Sequence, residues 1–157
     1  MITFQRELAS DALLDVLTTL AQAHDLEVMD DIAREFPLNI NRAAYMRLEQ
    51  IGMLRVYTAR DGEVLAGYVC FMLCPSLRRD ILVIAMEDAL YLAPEYRKAG
   101  NAIKLLKYVA GELAKDCQVV TYHSPTVNPR LGKVLKHQGY TKHSEYYTRR
   151  LAWPVQQ

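Results

Sequence analysis

Two clusters near the middle of the chain combine residue types and spacing suited to chemistry. The first is Arg97-Lys98-Ala99-Gly100-Asn101-Ala102, which runs straight into the apolar series Ala102, Leu105, Leu106, Val109, Ala110 and Leu113 at helical spacing. A helix start presents unpaired amides and the positive end of the helix dipole, so acidic residues are favoured there. This start has none; it has two cations and a glycine instead. Such a turn can hold an external anion: Gly100 lets it approach the backbone, the amides point at it, and Arg97 and Lys98 add charge-assisted contacts. A phosphate or pyrophosphate fits that description. The turn is not a Walker loop, since it lacks Gly-Lys-Ser/Thr, nor a dinucleotide fingerprint, since two of the three glycines are missing. The competing reading is a glycine-capped loop with two solvated cations. The second cluster is Glu87-Asp88, which interrupts the apolar run from Ile81 to Leu92. Burial raises a carboxyl's proton affinity, so either residue is a candidate general base. Strand alternation sends the two side chains to opposite faces. The alternative is a structural salt bridge or solvent exposure.

The elements that must position these clusters are readable from pattern. Ile2 to Arg6 suits a first strand. Ser10-Asp11 caps a helix striped with Leu13, Leu14, Leu17, Leu20 and Ala21. Residues 25–41 are irregular, with a short helix around Asp30 to Glu35. Asn41 caps a second helix through Ala44, Tyr45, Leu48 and Ile51, and Gly52 ends it. Leu54 to Thr58, the turn Arg60-Asp61-Gly62-Glu63, and Val64 to Leu73 make a hairpin. Ile81 to Leu92 reads as a buried central strand that Pro94 stops. After the helix following Gly100 come a strand at Gln118 to Tyr122, a helix opened by Asn128-Pro129 and ended by Gly139, and a last strand at Glu145 to Leu151. That order predicts an α/β fold: a mixed, mostly antiparallel sheet with helices on both faces.

The chain's 157 residues suit one domain, spanning 1–157. No apolar run approaches the length needed to cross a membrane. Glu7, Asp11 and Asp15 leave no signal-peptide layout, which points to a cytoplasmic protein. Cys70, Cys74 and Cys117 are an odd number with no second ligand pair, so they read as reduced buried thiols, and no metal is expected. Net charge is only +1, yet residues 1–96 carry eight Arg, no Lys and fifteen acids, while residues 97–157 carry eleven Lys or Arg and three acids. The change of sign falls at Arg97. A basic half suits a polyanionic ligand. Its lysines are spread around helices rather than clustered with aromatics, which argues against nucleic acid.

Arg97-Lys-Ala-Gly100-Asn-Ala102 resembles the Arg/Gln-x-x-Gly-x-Gly/Ala signature of the GNAT superfamily of acetyl-coenzyme A-dependent N-acetyltransferases. Leu90-Tyr-Leu-Ala-Pro-Glu-Tyr-Arg97 is similar to the strand end that precedes that signature, and Asn128 with Gly139-Tyr140 resembles the later Asn…Gly-Phe/Tyr segment. The resemblance is strongest from Ile81 to Tyr140 and covers most of the chain. It implies acetyl-CoA as co-substrate and transfer to an amine-bearing acceptor, a small molecule or a protein. It puts the pyrophosphate on Arg97, Lys98, Ala99, Gly100, Asn101 and Ala102, the pantetheine arm along Leu90, Tyr91 and Leu92, and Asn128 beside the cofactor. It favours Asp88 as base, with Glu87 second. One departure is Leu135, which stands where many members carry a general-acid Tyr. The runner-up is a GNAT-like protein that binds CoA or a partner without catalysis. Assembly as a homodimer is left open.

Overall fold

The computed structural model describes residues 1–28, 36–124 and 129–146. Within these, β1 (Ile2–Glu7), β2 (Leu54–Asp61), β3 (Val64–Pro75), β4 (Val83–Leu92) and β5 (Val119–Thr121) form one sheet in chain order. All neighbours are antiparallel except β4 and β5, which run parallel over Ile84–Met86 and Val119–Thr121. The α-helices among the described residues are α1 (Asp11–Val28), α2 (Arg42–Gln50), α3 (Asn101–Leu113) and α4 (Arg130–His137).

Pattern becomes packing on both faces of the sheet. On one, α1 lays Leu13, Leu17 and Ala21 against Val56, Tyr68, Cys70 and Tyr91, joined by Tyr45, Met46 and Leu48 of α2. On the other, α3 lays Leu105, Val109 and Leu113 against Tyr57, Val69, Phe71 and Ala85. The capping signals act as their chemistry dictates: Ser10 Oγ accepts the Leu13 amide at 3.2 Å and Asn41 Oδ1 the Ala44 amide at 3.0 Å. The β2–β3 reversal turns on Gly62-Glu63, with Gly62 at φ +60°.

Three expectations need adjustment. Ile81 does not belong to the central strand and is 83% exposed. β3 continues to Pro75, which pairs with Val83, so the residues between them are used up in the reversal. Glu145 and Tyr146 form no strand, and the rest of that expected strand lies outside the described residues, as does the expected helix at 30–35. Cys70 and Cys117 are buried and free, whereas Cys74 is only half-buried.

β1 is clamped to β2 by a polar knot. Arg60 holds both oxygens of Glu7, Nε at 2.7 Å and Nη2 at 3.0 Å, and Thr58 and Gln5 also donate to Glu7. Burial alone would raise the Glu7 carboxyl, but the donors from Arg60, Thr58 and Gln5 outweigh it and hold it at about 2, below its ordinary 4.5. A depressed carboxyl stabilises the fold fully above its unfolded value, and that contribution is lost as pH falls toward its folded value. The gap in urea midpoint between wild type and Glu7→Gln is therefore expected to be wide at pH 6 and to narrow as the pH falls from 4.5 toward 2. An unchanging gap would refute the assignment.

Candidate active site

β4 and its exit hold the expected site residues. A β-bulge divides the strand: Phe71 pairs with Glu87 and Cys70 with Ala89, leaving Asp88 as the extra residue. A bulge of this kind lets two consecutive side chains leave on one face. Asp88 and Ala89 both line the α1 side, while Glu87 turns toward β5. The two carboxylates do part company, but burial falls on only one of them. Glu87 is 7% exposed, and Asp88 lies exposed at a cavity rim.

That cavity, about 230 Å³, lies between α1, the segment before α2, and strands β3 and β4. Its lining includes His24, Asp25, Tyr45, Tyr68 and Asp88 among apolar residues such as Leu17 and Ile40. The Tyr45 hydroxyl donates to Asp88 Oδ2 at 3.3 Å. Burial, with the Cys70 thiol and Asp88 close by, pushes the Tyr45 phenol far above its usual range, so it stays protonated and remains a donor. His24 Nδ1 lies 3.0 Å from the Tyr68 hydroxyl, and its ring stacks on Tyr91 at 5.0 Å. Burial lowers the His24 pKa, which keeps the ring neutral at physiological pH. Two carboxylates, and no Lys or Arg among the described lining residues, make the cavity suited to a cation.

The turn after β4 has the features of an anion seat. Pro94–Tyr96 form a single 3₁₀ turn, then Ala99 (φ +54°) and Gly100 (φ +71°) take left-handed conformations in succession. A non-glycine residue in that region is uncommon and strained, and such strain clusters at functional turns. No side chain caps α3, and its first turn holds no acid. A Cβ placed on Gly100 would meet nothing within 4 Å, so the space above the turn is open. Lys98 is exposed beside it. Arg97 is differently engaged from the expectation of a free phosphate ligand. Its Nε donates to the Leu92 carbonyl at 2.6 Å, and its Nη2 lies 2.8 and 2.9 Å from the two Glu27 oxygens. The guanidinium also sits 5.2 Å over the Tyr91 ring, whose hydroxyl donates to Glu27 at 3.0 Å.

Among the described residues, no strand pairs with the far edge of β4 beyond Met86, the last residue to pair with β5. The Ala93 amide bonds to Ala66 of β3 at 2.9 Å. The peptide groups of Leu90 and Leu92, out of phase with it, therefore face away from β3 toward the vacated edge. Where the ladder stops, the Glu87 carboxylate accepts the His123 amide at 2.8 Å. Asn128 lies outside the described residues, and among those described no cluster of His, Cys, Asp and Glu could hold a metal ion.

Sequence reasoning passed over Glu27, His24, Tyr45 and Tyr68 as site residues. Glu27 reaches Arg97 across 70 positions, a pairing that no local pattern announces. Tyr45 and Tyr68 sit on apolar stripes and read as core. The acid run in the first half of the chain was the one available signal for a cation-seeking cavity.

No protein-family profile matches the chain, and no curated protein sequence matches it. Solved structures do. A ribosomal-protein-alanine N-acetyltransferase from Brucella melitensis biovar Abortus 2308 superposes with a TM-score of 0.72 at 16% identity, covering 97% of this chain and 100% of that one. An aminoglycoside acetyltransferase from an uncultured soil metagenomic sample, in complex with trehalose, gives 0.76 at 13% identity over 96% and 97%. A predicted acetyltransferase from Clostridium acetobutylicum, solved with acetyl-CoA, gives 0.65 at 15% identity over 96% of each chain.

Proposed function

Since the chain carries the fold of the GNAT acetyltransferases, we propose that it transfers an acetyl group from acetyl-CoA to a primary amine. The observation that carries this reading is the continuity of the open β4 edge with the uncapped, left-handed turn at Ala99-Gly100. The pantetheine amides pair with the peptide groups of Leu90 and Leu92 as an added strand would, flanked by Tyr91, and the pyrophosphate rests on the turn from Arg97 to Ala102. Lys98 supplies an exposed cation there, and Asn128, which lies outside the described residues, is the further contact that the family resemblance implies. A backbone amide on the β4 edge, where the thioester arrives, polarises its carbonyl. The acceptor's ammonium enters the cavity toward Asp88 and Asp25, and Asp88 removes its proton, with Glu87 the second candidate. A cavity of about 230 Å³ lies below the usual range for drug-sized ligands. It suits the amine-bearing end of an acceptor rather than a whole large molecule.

Two measurements test this. Acetyl-CoA at a hundredfold excess over its Kd is expected to stabilise the fold by about 2.7 kcal/mol, read as a rise in Tm. No rise at millimolar acetyl-CoA would remove the cofactor. Gly100→Val is expected to cost the fold only the left-handed penalty of about 1–2 kcal/mol, because its Cβ meets no protein atom. The branched side chain would nonetheless fill the ligand's space. Calorimetry that finds wild-type CoA affinity in Gly100→Val would take Gly100 out of the site. A non-catalytic CoA-binding protein is the second reading, favoured by the buried Leu135 where a proton donor is common in the fold. CoA binding without transfer to any amine would select it.

A further inference from the structure

We propose that Glu87 and His123 form a proton-relay dyad where β4 and β5 part, with His123 the catalytic residue and Glu87 its positioning residue; this rests on the acyl-transfer reading above. The His123 ring folds back on the residue that already holds its amide. Its Nδ1 lies 3.0 Å from the Glu87 carbonyl oxygen and 3.2 Å from Oε2. A carbonyl can only accept, so the hydrogen sits on Nδ1, and in the neutral form of the ring the lone pair is on Nε2. Among the described residues Nε2 has no hydrogen-bond partner. The Glu87 side chain is 7% exposed and that of His123 45% exposed, so a sheltered carboxylate stands behind a solvent-facing basic nitrogen. Carboxylate, Nδ1–H and free Nε2 in that order are the arrangement by which a hydrolase triad orients its imidazole.

The position suits the task. A pantetheine arm entering from Gly100 and running back past Leu92 and Leu90 brings its thioester to the edge vacated beside residues 87–88, where β5 delivers His123. The amine lone pair attacks the thioester carbonyl carbon, a C–N bond forms, and the carbonyl π pair moves to oxygen. The adduct's N–H proton passes to Nε2. The carbonyl then reforms, the C–S bond breaks with its pair on sulfur, and Nε2 returns the proton to the thiolate. The ring starts and ends neutral. One group thus covers both transfers, which accounts for the apolar Leu135 where a separate acid is absent. Burial raises the Glu87 pKa, opposed by its bonds to His123, so a transient imidazolium is the counter-charge this carboxylate lacks at rest. Among the described residues, the other titratable groups around the dyad are Asp88 on β4, Tyr122 just after β5, Tyr140 packed edge-on to Tyr122 at 5.4 Å, and Tyr146 at 5.1 Å from the His123 ring.

The test combines three readouts on the full chain: calorimetry with CoA, steady-state transfer from acetyl-CoA to an alanine-initiated peptide and to an aminoglycoside, and ¹⁵N NMR of the histidines. His123→Ala, a change at a half-exposed position, is expected to lower kcat about a hundredfold or more with CoA affinity unchanged. Glu87→Gln is expected to move the acid limb of the pH–rate profile to lower pH, because an imidazolium without its carboxylate loses its proton more readily. In the wild type, His123 is expected as the Nδ1–H tautomer, with an Nε2 resonance that shifts on adding acetyl-CoA. A wild type that binds no CoA overturns the acyl-transfer reading and the relay with it. Wild-type rate in His123→Ala, or an acid limb unmoved in Glu87→Gln, overturns the relay alone. If CoA binds but neither acceptor reacts, the NMR decides: an Nε2–H tautomer, or a resonance that acetyl-CoA leaves in place, overturns the relay.

Discussion

Asp88→Asn is expected to lower acetyl transfer about a hundredfold or more at neutral pH, the scale on which loss of a general base is felt. The carboxylate stands at the cavity rim, where Tyr45 donates to it at 3.3 Å and Asp25 shares the lining. An asparagine keeps the shape and the bond from Tyr45 but cannot take a proton from an ammonium. CoA affinity should stay near wild type, because the side chain faces the α1 side while the open edge and the turn at Gly100 lie elsewhere. Raising the pH should restore part of the lost rate, since more of the acceptor is then already a free amine. A pH–rate profile with one confirmed acceptor decides. Full activity at pH 7, or a defect that no rise in pH relieves, would show that Asp88 is not the group that deprotonates the amine.

Phe71→Ala is expected to cost about 3–5 kcal/mol, the usual result of emptying a buried aromatic site. Phe71 is fully buried and meets Tyr57 and Tyr122 edge-on, at 6.3 and 5.4 Å between centroids. Set against a total stability of roughly 5–15 kcal/mol, that loss is a large share. A chain of this size should lose roughly 6–20 °C in Tm. The damage should not stop at stability. Phe71 pairs with Glu87 across the sheet and supports Tyr122, the residue before His123, so the void opens beneath the place where β5 leaves β4. Scanning calorimetry checks the first claim, and a fall of under about 3 °C would mean the core closes over the gap.

The elements were legible because their signals are local. The stripe from Leu105 to Leu113 needs only its own spacing, and Ser10 and Asn41 need only the amides three residues on. The turn at Gly100 was legible for the same reason, since missing acids and added cations are visible in six residues. What escaped depends on distance or on a single peptide. Glu27 and Arg97 are paired by the whole sheet between them. The bulge at Asp88 leaves no mark in composition, because an extra residue in a strand looks like any other. Strand alternation correctly separated Glu87 from Asp88, yet it gave no warning that Ala89 would follow Asp88 to the same face. Burial was expected of either carboxylate and fell on Glu87 alone, because only Glu87 had an amide and an imidazole waiting for it.

The Glu27–Arg97 pair has an electrical consequence. Glu27 holds a carboxylate against Arg97, beside the turn proposed to seat an anion. A pyrophosphate bound there as proposed would leave the local field, which α1 has balanced, over-negative by one carboxylate. Arg97 would then share its donors between the two anions, or Glu27 would release it. The last turn of α1 also bears His24, Asp25 and Val28, which line the cavity. Filling the proposed anion seat would thus pull on the wall of the cavity, coupling the order of substrate arrival to a single ion pair.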